Sequence, residues 1–248
     1  MRIGVVVTAA GSGERLGAKA PKALVTVAGR SLLSHAIDAA LSVADLVVVT
    51  APAQHLAEFG AVIDAFRDGG PGEESSSHTF SEGDGRNDAT RGQAITVVPG
   101  GATRQDSVRA GIAALGDVDV VLVHDAARAF APASLFRDVV TALEAGHGAV
   151  IPALAVVDTI KRADAALRVR ETVDRSELWA VQTPQGFRRE LLARAHTAGA
   201  GNAATDDAAL VEELGEAVQL IQGHEDAFKI TTPRDLAIAR ALLAVLED

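Results

Sequence analysis

Ile3-Gly4-Val5-Val6-Val7-Thr8-Ala9-Ala10-Gly11-Ser12-Gly13-Glu14-Arg15-Leu16-Gly17 is the stretch on which the fold turns. Its first part, Ile3–Thr8, is a short apolar run without polar alternation, the pattern of a strand buried on both faces. Small residues follow at once. Positions 9 to 13 let the backbone approach a ligand closely, and successive N–H groups in such a turn form a concavity for anions. Arg15 and then Lys22, beyond Pro21, add two full positive charges. A buried strand opening into an anion cradle predicts an open α/β sheet that binds its ligand at the strand ends.

The rest of the chain continues that rhythm. Strand-length apolar runs occur at Leu46–Thr50, Ile95–Val98, Val118–His124, Ala149–Ile151, Ala180–Gln182 and Val218–Ile221. Helical patterns lie between and after them, at Leu32–Leu41, Leu56–Phe66, Ser107–Leu115, Ser134–Ala145, Arg188–Ala198, Asp206–Leu214 and Pro233–Leu246. This alternation predicts a three-layer, Rossmann-like, mostly parallel sheet with helices on both faces. The composition agrees: 48% of residues are hydrophobic but only 3% aromatic, so the core must be built from Val, Leu, Ile and Ala. Thr205 and Thr232-Pro233 read as helix starts. With 248 residues, no repeat and no linker, the expectation is a single domain over 1–248.

Two segments break the pattern. Arg67 to Gly92 is rich in Gly, Ser and acidic residues and reads as a flexible surface insertion. Ala155 to Val173 shows short apolar–polar alternation around Asp164-Ala165-Ala166 and reads as a hairpin outside the main sheet, within an arm of about 155–175. A two-stranded arm is marginal alone, so it is expected to pack on another subunit.

Bulk properties exclude several function classes. A formal net charge of -10 disfavours nucleic acid and anionic membrane as partners. No apolar run approaches the ~20 residues that span a bilayer, and the chain enters a strand pattern at its third residue without a signal-peptide core. There is no cysteine, which removes disulfides and thiolate chemistry and fits a reducing cytoplasm. The expected location is cytoplasmic.

The glycine loop does not fit two common phosphate motifs. The dinucleotide fingerprint needs its third glycine one residue earlier than Gly17, and an acid after the second strand, where Ala51-Pro52 stands instead. A Walker A loop needs a Gly-Lys pair, and none exists. A plain strand-to-helix turn with solvated charges is the bland alternative.

Further constellations follow strand ends. Pro99-Gly100-Gly101-Ala102-Thr103-Arg104-Gln105-Asp106-Ser107 again offers backbone approach, and Ser107 is placed either to meet a ligand or to cap the next helix. His124-Asp125-Ala126-Ala127-Arg128 ends the most apolar strand. Asp125 stands where a Mg²⁺-associated carboxylate would sit, unless it forms a structural pair with Arg128. Thr159 and Arg175 lie on the arm and, taken alone, read as a solvated face. Trp179 to Phe187 places Thr183-Pro184-Gln185 at a strand end. Thr205-Asp206-Asp207 opens a helix. Lys229 sits between Phe228 and Ile230 in a strand-like pattern, where an unpaired buried charge would be costly.

Taken in order, Ala-Ala-Gly-x-Gly-x-Arg-x-Gly with Pro-Lys, Gly-Gly-x-x-Arg-x-x-Ser-Val, His-Asp-Ala-Ala-Arg, Leu-Trp-x-x-x-Thr-Pro-Gln and Lys-Ile-Thr resemble the 2-C-methyl-D-erythritol 4-phosphate cytidylyltransferases of non-mevalonate isoprenoid synthesis. The resemblance runs from the first strand to the last helix, and only the 67–92 insertion looks foreign to it. It implies a fold of the nucleotide-diphospho-sugar transferase type, with a protruding β-arm for dimerisation. It also implies the transfer of CMP from CTP to a small polyol phosphate with release of pyrophosphate, a Mg²⁺ cofactor, and a homodimer. Ala9, Ala10, Gly11 and Gly13 would wrap the nucleotide, and Arg15 and Lys22 would stabilise the transition state. Gly101, Arg104 and Ser107 would contact cytidine, with Ala126 beside them. Asp125 and Arg128 would lie near ribose, metal and acceptor. Thr159 and Arg175 would reach the acceptor of a neighbouring subunit, and Thr183, Thr205 and Lys229 would complete the acceptor pocket. Ribitol 5-phosphate is the alternative acceptor, and a nucleotide-binding regulator without catalysis is the alternative class.

Overall fold

Strands whose residues point alternately to two faces need an apolar partner on each, and this chain supplies both. The computed structural model describes residues 1–11, 20–67, 94–200 and 204–246. Its strands are β1 (Ile3–Thr8), β2 (Thr26–Val27), β3 (Arg30–Ser31), β4 (Leu46–Ala51), β5 (Ala94–Pro99), β6 (Val120–Asp125), β7 (Ala149–Ala155), β8 (Ile160–Ala163), β9 (Val169–Val173), β10 (Trp179–Val181), β11 (Gln185–Arg188) and β12 (Gln219–Gln222). The α-helices are α1 (Leu32–Leu41), α2 (Leu56–Arg67), α3 (Arg104–Ala114), α4 (Ala133–Glu144), α5 (Arg189–Ala198), α6 (Asp207–Glu213) and α7 (Pro233–Leu246).

β1 is central and pairs in parallel with β4 and β6, its Thr8 lying opposite Thr50 and Asp125. β5 extends the sheet in parallel beyond β4. On the other flank β11 runs antiparallel between β6 and β7. β12 lies parallel to β7, and β10 pairs antiparallel with its far half. The mostly parallel expectation therefore holds, with one strand added. The sequence treats Thr183-Pro184-Gln185 as a strand end, whereas Gln185–Arg188 is a strand of its own. Four residues with two polar members are too short for a periodic signal.

Val5, Val7, Val47, Val49, Val120 and Leu122 pack on one side against α1, α2 and α4, with Phe59 and Phe136 fully buried among them. Val6, Val48, Val121 and Val123 face the other way, against Val108 and Ile112 of α3 and Leu191, Leu192, Leu210 and Val211 of α5 and α6. Each such fully buried aliphatic side chain contributes about 1.5–3 kcal/mol. A third cluster around Val27, Leu32, Ala129 and Ile230 ties α7 and the β2–β3 hairpin to the end of β6.

Helix starts differ from the sequence reading where caps were misassigned. α3 begins at Arg104, because Thr103 accepts from the Asp106 N–H and Asp106 reciprocates in a capping box. Ser107 is therefore inside the helix and caps nothing. α6 is capped by Asp206, whose side chain accepts from the Ala209 N–H at 3.0 Å, and not by Thr205. At α7 the Thr232 hydroxyl accepts from the Asp235 N–H, as a cap should. The insertion expected from Arg67 to Gly92 lies, beyond Arg67 itself, outside the described residues. β8 and β9 form a separate antiparallel hairpin. Its turn is closed by Asp164, which accepts from the Ala166 and Arg168 N–H groups.

Candidate active site

The parallel strands β1, β4, β5 and β6 end on one edge, and the chain leaving β1, β5 and β6 helps to build a cavity of about 640 Å³ there. Thr8 to Gly11, Lys22, Gly101 to Arg104, Ser107, Asp125 to Ala127, Lys229 and Thr231 line it. Backbone bonds fix the rim: the Ala9 N–H donates to the Thr50 carbonyl, the Ala126 N–H to Thr8, and the Gly100 N–H to Ala51. Ala9, Ala126 and Ala127 contribute only methyl side chains to its lining.

Gly101 is needed by the fold as well as by any ligand. A Cβ there would lie 2.2 Å from the Asp106 Cβ, inside the capping box. Its N–H donates to Ser107 Oγ at 3.1 Å, and that hydroxyl donates in turn to the Thr103 carbonyl at 2.9 Å. Buried Ser107 thus holds the glycine turn in place while it lines the cavity.

Asp125 is the electrostatic centre. Its Oδ2 accepts from Lys229 Nζ at 2.7 Å, and its Oδ1 accepts from Arg104 Nε at 3.3 Å and Thr8 Oγ1 at 3.1 Å. Burial pushes this carboxyl up, but Arg104, Lys229 and Arg128 outweigh it and hold it well below the usual carboxylate range. It is a permanent anion near neutral pH. Its partners are Arg104 and Lys229; Arg128 instead donates to the Ala227 and Val181 carbonyls, stapling two segments beside the cavity.

Lys229 lies outside any strand, contrary to the strand-like reading, and its side chain is 44% exposed. Phe228 and Ile230 pack into the third cluster while the lysine faces the other way. The Ile230 N–H donates to the Ala127 carbonyl and its own carbonyl accepts from Lys22 Nζ at 2.9 Å. One short segment therefore joins both lysines to the end of β6.

Of the residues singled out from the sequence, Ala9, Ala10, Gly11, Lys22, Gly101, Arg104, Ser107, Asp125, Ala126 and Lys229 line this cavity together. Gly13 and Arg15 lie outside the described residues. Thr183 is buried and does not line the cavity. It accepts from the Asp125 N–H at 3.1 Å and sits 3.0 Å from His124 Nδ1. His124 is fully buried against Phe136, and burial pushes its pKa down to about 4, so it is neutral near pH 7. Thr205 is exposed and does not line the cavity, nor do Thr159 and Arg175 on and beside the arm.

Several contributors were missed, among them Ala23, Ala102, Thr103 and Ala127, which line the cavity with small side chains. Thr8 and Thr231 line the cavity, but a lone threonine at a strand or segment end carries no sequence signal. Asp207 accepts from Arg104 Nη1 at 2.7 Å across 103 positions of chain. Its acid was visible beside Thr205, but its partner was not.

Among the described residues no group of three or more His, Cys, Asp or Glu could cage a metal. Among the described residues Asp125 is the one carboxylate lining the cavity, and both its oxygens already accept bonds. That donor set fits Mg²⁺ carried on phosphate oxygens, an ion that keeps waters and takes one or two carboxylates. It does not fit a resident, protein-caged ion.

A cation-lined, glycine-edged cavity at the ends of parallel strands places the chain among the nucleotidyltransferases of Rossmann-like fold. A family model described as 2-C-methyl-D-erythritol 4-phosphate cytidylyltransferase matches residues 3–245. The protein of that name from Rhodococcus jostii is 49% identical over 240 residues, covering 96% of this chain and 93% of that one. The bifunctional enzyme IspD/IspF of Clavibacter michiganensis is 50% identical over 246 residues, covering 98% of this chain, which spans 55% of that longer protein. The crystal structure of 2-C-methyl-D-erythritol 4-phosphate cytidylyltransferase from Thermus thermophilus matches with a TM-score of 0.73 at 35% identity, over 98% of this chain and 100% of that one. The chain belongs to the 2-C-methyl-D-erythritol 4-phosphate cytidylyltransferase family. No helix among the described residues is long and apolar enough to cross a membrane.

Proposed function

We propose that this chain transfers CMP from CTP to 2-C-methyl-D-erythritol 4-phosphate, releasing pyrophosphate and giving 4-diphosphocytidyl-2-C-methyl-D-erythritol for isoprenoid precursor synthesis. The observation that carries the reading is the convergence of Lys22, Arg104 and Lys229 on one glycine-edged cavity in a molecule of net charge -10.

A phosphate oxygen of the acceptor attacks the α-phosphorus of CTP, and the bond from that phosphorus to the bridging oxygen breaks, the electron pair leaving with pyrophosphate. A phosphate monoester has its second pKa at about 6, so the nucleophile is already a dianion near neutral pH. No general base is required, and Asp125, held strongly acidic by its cations, is no candidate for one. The barrier is repulsion between anions, and it falls when cations are fixed where charge develops. We assign Lys22, which lines the cavity, to the triphosphate side, with Arg15 assigned there by resemblance. We assign Lys229, paired with Asp125 at 2.7 Å, to the incoming phosphate, which would draw it from that carboxylate. Mg²⁺ bound to triphosphate oxygens, with Asp125 as its protein carboxylate, would supply further charge neutralisation.

The arm carries Val157, Leu167 and Val169 at 80%, 87% and 61% exposure. We read it as a dimerisation element that brings Thr159 and Arg175 to the acceptor site of a second copy. One domain, a homodimer and a cytoplasmic location complete the reading. The test is pyrophosphate release with CTP against methylerythritol phosphate and ribitol 5-phosphate in parallel. Turnover only with ribitol phosphate would replace the acceptor, and CTP binding without pyrophosphate under either would make the chain a nucleotide-binding regulator.

A further inference from the structure

A line of polar contacts runs from the interior to the cavity wall. His196 of α5 is 3% exposed, and its Nε2 lies 2.8 Å from Asp207 Oδ1. Asp207, at the first position of α6, is 1% exposed. Its other oxygen accepts from Arg104 Nη1 at 2.7 Å, and Arg104 Nε donates to Asp125 at 3.3 Å. Arg104 is thus gripped on two edges by two carboxylates, one behind the wall and one on it. Burial works against its charge, but Asp207 first and then Asp125 outweigh that and keep it firmly protonated.

Asp207 is itself held. The neighbouring Asp206 caps α6 and accepts from Gln185 Nε2 at 2.8 Å, and Gln105 of α3 donates to the Gly199 carbonyl at the end of α5. Helices α3, α5 and α6 also share one apolar cluster through Val108 and Ile112, Leu191 and Leu192, and Leu210 and Val211, so they dock independently of the ion pair. A second carboxylate and a histidine are not needed to dock them. Burying a carboxylate is costly unless its partners are fixed, and the partner here is a side chain that lines the cavity. A planar guanidinium held at two edges cannot rotate its remaining N–H donors away from the cavity.

We propose that Asp207, braced by His196, is the positioning residue that fixes the Arg104 guanidinium at the cavity wall for the nucleotide. The inference rests on the reading of the cavity as a CTP site. It assigns Asp207 no contact with substrate.

The test uses the full chain with Asp207→Asn, His196→Leu and His196→Gln, each measured below its melting temperature. Titration calorimetry with CTP gives Kd, and pyrophosphate release gives KM and kcat. Gln can place an amide N–H where the histidine Nε2 stands, whereas Leu cannot. D207N is expected to raise the Kd and KM for CTP by about tenfold or more, with kcat at saturating CTP changed by no more than about threefold. H196L is expected to raise Kd several-fold and H196Q to bring it back toward wild type. A purely structural pair would lower the melting temperature and leave the Kd of the folded protein unchanged. A CTP Kd within about twofold of wild type in folded D207N overturns the inference. If D207N does not fold, the histidine pair decides it: equal Kd values for H196L and H196Q overturn it. A wild-type protein that binds CTP but releases no pyrophosphate would instead sink the transferase reading, while the Kd comparison would still stand.

Discussion

At Lys229 the ammonium lies 2.7 Å from Asp125, and at Lys22 it lies 2.9 Å from the Ile230 carbonyl, so the two cations are tethered to one segment before any phosphate arrives. Removing either should leave the hydrophobic clusters intact while stripping charge from the reacting phosphates. Lys22→Ala and Lys229→Ala are expected to retain their circular dichroism and to lose turnover by about a hundredfold or more, on the order of 2.7 kcal/mol of transition-state stabilisation. Near-normal kcat in both purified variants would refute these roles. His124 makes a different prediction. Its pKa in the folded chain is about 4 against an ordinary 6.5, so the unfolded chain takes up a proton first as pH falls. The stabilisation is complete above pH 6.5 and is lost as pH drops toward 4, by on the order of 3 kcal/mol. Asp125, whose carboxyl is held below its ordinary range, begins to lose its own stabilisation only as pH falls below about 5, and that loss is common to wild type and a His124 variant. Urea midpoints of wild type and His124→Asn between pH 7 and 4 check this. The wild type should lose stability more steeply, and parallel profiles would remove His124 as the cause.

Among the elements, α3 approaches β1 more closely than a side chain would allow. A Cβ on Gly111 would lie 2.4 Å from Val6 Cγ1. Alanine favours a helix over glycine by about 1 kcal/mol, whereas overpacking a filled core costs about 1–3 kcal/mol. With the overlap falling on the central strand, Gly111→Ala is expected to lower the urea midpoint, and an unchanged or raised midpoint would mean that α3 shifts freely. The elements also show what the sequence could and could not reveal. β1, α1 and α7 have the boundaries predicted from periodicity, because long apolar patterns and clear caps define them. β11 escaped because its pairing with β6 and β7 is non-local. The start of α3 escaped because Thr103, three positions before Asp106, outcompetes Ser107 as cap, a contest decided by loop geometry. The cavity followed the same rule. Glycines, Lys22, Asp125 and Lys229 were legible as motifs at strand ends, whereas the buried Asp207–His196 brace depends on packing between helices that no local pattern encodes.

For the whole molecule, the arm sets the decisive question. Arg175 is exposed and does not line the cavity of its own chain. If it serves a second copy, Arg175→Ala and Lys229→Ala damage different halves of a shared site. Each variant alone should be nearly inactive, but mixed and re-equilibrated subunits should recover about a quarter of wild-type activity, because half the dimers would hold one undamaged site. No recovery, with mixed dimers demonstrated by mass, would place Arg175 in its own chain's chemistry or in none.

The methyl groups that Ala9, Ala126 and Ala127 turn to the cavity have a consequence for recognition. Surfaces without functional groups of their own judge a guest by outline and leave polar contact to the peptide backbone. A base edge would then be read by where the loops hold their backbone N–H and C=O groups, and phosphates by Lys22 and Lys229, so exchanging either lysine should weaken phosphate holding without changing which nucleobase is preferred.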